Sequence, residues 1–154
     1  ELSRCGWDAL RSFLKAAVHE SAGLPGAVIA VQRFGDFPER FHPHCHVLCT
    51  DGCFYDRGGF RLTPKFHLTA LESLFRHRVL RMLLARGKIN RELIRIMEGW
   101  RHSGFNVYAG PRIHPRQKRS LENLAAYLIR SSFSQQRMTM RFQPSWNRIC
   151  VPGR

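Results

Sequence analysis

The chain predicts an α+β fold in which helices pack on an antiparallel sheet, and three observations predict it. Two strand-like runs lie close together, Ala27–Phe34 (AVIAVQRF) and Phe41–Thr50. Stretches with apolar residues at helical spacing flank that pair on both sides. Turn signals at Gly23-Leu24-Pro25-Gly26, Asp51-Gly52, Gly58-Gly59 and Gly87 separate the runs. Strands and helices that are segregated along the chain in this way favour α+β over an alternating parallel fold.

Each element has its own reason. Trp7, Leu10, Leu14, Ala17 and Val18 recur at helical spacing and predict a helix over roughly Arg4–His19. Ala27–Phe34 is β-branched and mostly apolar, as a buried strand is. Gly35–Glu39 reads as a loop before the second strand. Asp51-Gly52 is a two-residue hairpin signal, so Cys53–Tyr55 is expected to return along that strand. Gly58-Gly59 forms a further turn before Phe60–Leu62. Thr63-Pro64 is placed to open a helical region, with proline tolerated in a first turn. Leu71, Leu74, Phe75, Val79, Met82 and Leu83 form the stripe of a helix that Gly87 ends. Asn90 caps a shorter helix carrying Leu93, Ile94, Met97 and Trp100. Phe105–Ala109 predicts a strand, Gly110–Arg119 a basic loop, and Ser120 the cap of a last helix over Leu121–Ser131. Thr139–Arg154 fits no element.

Length and charge bound the function. A chain of 154 residues is enough for one domain with one core, residues 1–154. Lys and Arg number 25 against 11 Asp and Glu, a net charge of +14, and the simplest partner of such a surface is a polyanion. No apolar run reaches the length of a membrane span, so no membrane partner is expected. The N-terminus (Glu1-Leu2-Ser3-Arg4) shows no signal peptide. Five cysteines are an odd number, which argues against a disulfide framework or a disulfide-linked partner and for reduced thiols in a cytoplasm.

The most informative segment is Phe41-His42-Pro43-His44-Cys45-His46-Val47-Leu48. Side chains alternate faces along a strand, so His44 and His46 point the same way and can share one divalent ion. Cys45, Val47 and Cys49 point the other way. Alone, His-x-His is shared with ordinary strand histidines, and it needs a partner motif. A third ligand can come from Gln32 on the preceding strand or from Asp36 after it. Hard oxygen donors beside imidazole suit Mg²⁺ or Mn²⁺.

The last helix supplies a second candidate. Leu121, Leu124, Ala125, Leu128 and Ile129 form its core stripe, and Tyr127 lies roughly 120° from the centre of that stripe. Tyr127 shares its side with Asn123 and Arg130. A phenol on a rigid helix is a well-held nucleophile, and a guanidinium one turn away can hold a phosphate. A boundary tyrosine that packs its ring and wets its hydroxyl has the same pattern.

Several blocks together resemble a known family. Gly26–Asp36, FHPHCHVLCTDG (Phe41–Gly52), WRHSGFNV (Trp100–Val107), Glu122–Arg130 and SFSQQRM (Ser132–Met138) are similar, in order and spacing, to bacterial insertion-sequence transposases of the HUH (rolling-circle, tyrosine) class. The resemblance implies that His44 and His46 bind the divalent metal and that Tyr127 attacks a DNA phosphate. It implies a bacterial cytoplasmic enzyme that cuts and rejoins single-stranded DNA at transposon ends through a 5′-phosphotyrosine, with arginines such as Arg112, Arg116 and Arg130 holding the strand. Some relatives carry a second tyrosine one turn earlier, where this chain has Asn123, so it resembles a one-tyrosine version. Relatives also carry sequence on both flanks, including an early strand of the sheet, so the chain is expected to be a fragment of a longer transposase. Three other readings make different demands. A non-catalytic transposase remnant would bind DNA without cutting it. A zinc hydrolase would gather His42, His44 and His46, against the bend expected at Pro43. A structural zinc module would gather Cys45, Cys49 and Cys53.

Overall fold

A computed structural model describes residues 1–34, 41–55, 58–64, 67–114, 116–129, 139–140 and 149–150, with the backbone course alone at 33, 34, 41, 127–129, 139, 140, 149 and 150. The elements run α1 (Leu2–Ala17), β1 (Ala27–Phe34), β2 (Phe41–Cys49), β3 (Gly52–Tyr55), β4 (Gly59–Leu62), α2 (Thr69–Ala85), α3 (Arg91–Glu98), α4 (Lys118–Ile129), β5 (Thr139–Met140) and β6 (Ile149–Cys150). The architecture is α+β, as expected, but the described strands form three antiparallel pairs, β1-β2, β3-β4 and β5-β6.

The core is built on α1. Its apolar residues fall on one stripe, so Cys5, Ala9, Leu10, Phe13 and Leu14 are buried together. Leu10, Phe13, Leu14 and Val18 cluster with Cys53 of β3, and Ala27, Leu71 and Leu74 pack against them. Burial of each large apolar side chain contributes about 1.5–3 kcal/mol. α1 thus meets α2, β1, β2 and β3 and organises the layers around itself.

β1 and β2 pair with Gln32 opposite His44, Ala30 opposite His46 and Val28 opposite Leu48. Directly opposed residues of an antiparallel pair share a face. The other face carries Ala27, Ile29 and Val31 with Cys49, Val47 and Cys45. It is the face turned to α1, because a Cβ added at Gly6 would lie 4.0 Å from the Cys45 sulfur. The register shifts between Gln32 and Phe34, where β2 fits one more residue than β1. Pro43 falls at that bulge, which suits a residue that cannot donate to a ladder. The bend expected at Pro43 is therefore absorbed as a bulge inside a continuous strand.

The Asp51-Gly52 hairpin does not form. Around Asp51 the backbone is engaged elsewhere: Thr50 N donates to Gly26 O (2.9 Å) and Thr63 N donates to Asp51 O (2.8 Å). The Thr50 hydroxyl closes the corner by donating to Gly52 O at 2.8 Å. β3 leaves this corner to pair with β4 and makes an isolated bridge from Phe54 to Leu24. Gly52 is required for a different reason from a hairpin turn, since a Cβ there would collide with the Arg61 main chain. The turn at Gly58, with φ +105°, is the one that reverses the chain.

Three more expectations are corrected. Thr63-Pro64 does not open a helix, because α2 starts at Thr69; Thr63 is buried (3% exposed) and its hydroxyl donates to Asp51 O. Phe105–Ala109 is no strand; Phe105 packs edge-to-face on Phe75 and Ser103 Oγ accepts from its amide, which holds the segment to α2 without a ladder. α4 begins before Ser120. Gln117 starts it, with its carbonyl accepting from Ser120 N and Leu121 N and its side chain accepting from His114 N. Asn90 does cap α3, accepting from Leu93 N at 2.8 Å, and Gly87 follows α2 with φ +62°. In the C-terminal stretch, Thr139 and Met140 pair with Cys150 and Ile149.

Candidate functional site

The pleat of β2 brings the two histidines together. His44 and His46 present their rings on one face with centroids 4.9 Å apart and planes at 77°. Gln32 stands across the ladder from His44 on the same face. The three polar side chains thus form one patch on the face turned away from α1.

His44 is locked by its own strand. Its Nδ1 lies 2.7 Å from the main-chain oxygen of His42. A carbonyl oxygen only accepts, so Nδ1 carries the proton and donates. In the tautomer that this contact selects, the lone pair is on Nε2. A ring nitrogen held by a carbonyl is the usual support of a metal-bound histidine, because it orients the ring and raises its basicity. His46 is pushed below its ordinary value of 6.5, first by burial and then by the neighbouring His44. Near neutral pH it is therefore an uncharged donor. Two imidazole nitrogens and an amide oxygen on one face are a donor set that fits a borderline or hard divalent ion.

His42 continues the stripe, its ring 5.4 Å from His44 and tilted by 40°. Among the described residues, no three His, Cys, Asp or Glu side chains gather as a metal cluster. Neither the alternative trio of His42, His44 and His46 nor that of Cys45, Cys49 and Cys53 forms such a cluster. The thiols are also separated by the fold: Cys45 faces α1, Cys49 is exposed and Cys53 is buried in the core. Burial pushes all three, and Cys5, above the ordinary thiol value. All four are free thiols.

The other candidates are distributed along the second half. Tyr127 lies in the last turns of α4, with its backbone alone described. Asp36 and Arg130 lie outside the described residues. Arg116 is exposed just before α4, and its amide donates to His114 Nδ1 at 3.4 Å. Arg112 is engaged with protein: Nη2 donates to Thr63 O at 2.8 Å and Nε lies 3.3 Å from the Asp51 carboxylate. Two participants escaped the sequence reading. The His42 carbonyl is invisible to residue type, since any residue supplies one. The Asp51–Arg112 pair joins distant segments, and no local pattern signals it.

No helix of the described residues is long and apolar enough to cross a membrane. No curated protein and no solved structure matches the chain significantly. A family of transposases does, Y2_Tnp, described as "Putative transposase", over residues 26–143. That span runs from the turn before β1 through both histidines, α4 and β5. It covers most of the chain, and the protein belongs to the Y2_Tnp transposase family.

Proposed function

We propose that this transposase is of the HUH class and cuts and rejoins single-stranded DNA through Tyr127, with His44, His46 and Gln32 holding a divalent metal. The observation that carries the reading is the His44 Nδ1 contact to the His42 carbonyl, which leaves Nε2 as the donor atom on the face shared with His46 and Gln32. Membership of a transposase family makes DNA the substrate, and the net charge of +14 suits it.

The residues divide the work. His44 and His46 present ring nitrogens and Gln32 an amide oxygen. Mg²⁺ or Mn²⁺ bound there supplies Lewis-acid stabilisation of charge on the scissile phosphate. Tyr127 supplies the nucleophile. Its phenol oxygen forms a bond to phosphorus, the bond from phosphorus to the 3′ oxygen breaks, and the phenol's proton is balanced by the one taken up by the departing 3′ hydroxyl. The product is a 5′-phosphotyrosine whose ester keeps the energy of the broken link, so the reverse attack rejoins DNA without ATP. A phenol with an ordinary pKa of about 10 is a weak nucleophile at neutral pH, so neighbouring positive charge must favour the phenolate. Arg116, just before α4, and Arg130, which follows it in sequence, are the candidates for holding the strand, and Asn123 in place of a second tyrosine limits the chain to one covalent link.

The test is a suicide-substrate assay with labelled single-stranded DNA and Mn²⁺, read as a covalent band on a denaturing gel. The expected band vanishes with Tyr127→Phe and with His44→Ala. No band from the parent chain, with salt-sensitive DNA binding retained, would replace this reading with a DNA-binding role.

A further inference from the structure

Three segments far apart in sequence meet at Asp51. The main-chain oxygen of Asp51 accepts from both the amide and the hydroxyl of Thr63, each at 2.8 Å. The Asp51 carboxylate lies 3.3 Å from Arg112 Nε, and Arg112 Nη2 donates to Thr63 O at 2.8 Å and lies 3.4 Å from its hydroxyl. Arg112 therefore binds at once Asp51, in the connection between β2 and β3, and Thr63, the residue just after β4. A planar guanidinium suits this task, because its donors point in fixed directions. Thr63 is 3% exposed, while the Arg112 and Asp51 side chains remain 56% and 40% exposed, so the clasp is buried only at its Thr63 end.

The position of this junction matters. Asp51 lies two residues beyond the strand that carries His44 and His46 and directly before β3. Arg112 lies a few residues before α4, which carries Tyr127. The intervening chain is shortened by Gln117 N donating to His114 O at 2.8 Å, and His114 N donates to the Gln117 side chain. With about 3.5 Å as the most that each residue can span, the chain from Arg112 to Lys118 reaches at most roughly 21 Å, so the clasp limits how far the start of α4 lies from Asp51.

We propose that Asp51 and Arg112 are positioning residues that set the tyrosine helix relative to the histidine strand, and that Arg112 acts on the reaction through this clasp instead of by holding DNA phosphate. The proposal rests on the catalytic reading of Tyr127. The two roles of Arg112 make opposite demands on Asp51. If Arg112 binds phosphate, removing the carboxylate frees it for DNA and adds net positive charge, so binding tightens and cleavage persists. If Arg112 is a clasp, the same change loosens α4 and slows cleavage while binding does not weaken.

The experiment compares the full chain with Asp51→Asn, Arg112→Gln and the exchanged pair Asp51→Arg with Arg112→Asp. Single-turnover cleavage is measured at saturating single-stranded DNA, and amide hydrogen exchange is followed in α4 with α1 as the internal control. For both single variants the expected results are cleavage slowed by about 10- to 100-fold, the scale of a misplaced reacting group, and faster exchange in α4 with α1 unchanged. DNA affinity of Asp51→Asn stays equal to or tighter than that of the parent, and the exchanged pair recovers part of the rate. Unchanged exchange in α4 overturns the proposal, as does parental cleavage by Asp51→Asn. A parent chain that makes no adduct fails the function reading instead, and the exchange data then decide the clasp alone. A variant that exchanges rapidly in α1 as well has lost the fold, and the clasp as a local tether is overturned with it.

Discussion

His44 Nδ1 lies 2.7 Å from the main-chain oxygen of His42, two residues back on the same strand. A backbone atom thus sets the tautomer of a side chain, and the protonated nitrogen is turned inward along the strand. The bulge at Pro43 lies between the two residues and shapes this contact, since it adds a residue to β2 opposite Arg33. Replacing Pro43 with Ala is expected to weaken Mn²⁺ binding about 10-fold, within the range for losing a ligand's support, as read by calorimetry near pH 7. Unaltered affinity would show that the bulge does not matter to the ring.

Gln32 faces His44 across the ladder. Gln32→Leu is expected to lower Mn²⁺ affinity, and Gln32→Glu to raise it, because a carboxylate is the stronger hard donor. A Gln32→Leu variant that binds Mn²⁺ like the parent would remove Gln32 from the ligand set.

His46 is held below its ordinary 6.5 by burial and by His44. Its folded-state value is lower than its unfolded one, so its contribution to stability is complete above about pH 6.5 and is lost as pH falls from there through the folded value. Ring-proton NMR should show His46 titrating below 6.5, and chemical unfolding should show stability declining on acidification across that window, less steeply in His46→Gln. A midpoint at or above 6.5 contradicts the burial argument.

Leu14 is 2% exposed in the cluster that α1 shares with β3 and α2. Leu14→Ala should destabilise by about 2–5 kcal/mol, measured by urea unfolding. A loss under 1 kcal/mol would mean that the core closes over the gap.

At Gly52, a methyl group would meet the Arg61 main chain, which has no freedom to withdraw from the β3-β4 ladder. Gly52→Ala is expected to cost about 1–3 kcal/mol by overpacking. If Gly52 served a hairpin turn instead, Gly52→Asn would be tolerated; here it should be at least as damaging as alanine.

Local chemistry made much of this protein legible from its residues alone. The stripe of α1, the boundaries of β1, the Asn90 cap and the shared face of His44 and His46 follow from periodicity and capping, which act within a few residues. The family-bearing blocks were legible for the same reason, since each is a short contiguous run. Where a local signal had two solutions, the tertiary structure chose. Asp51-Gly52 is a sound hairpin signal, yet Thr63 and Gly26 bind the corner's backbone and send β3 to β4. Phe105–Ala109 has strand composition, but a strand exists only with a partner, and Phe75 and Ser103 engage that segment first. Arg112 reads by charge as a phosphate ligand, and only folding shows that Asp51 and Thr63 are delivered to it. Charge, periodicity and caps are properties of neighbours along the chain; partners brought from tens of residues away are decided only when the core around α1 closes.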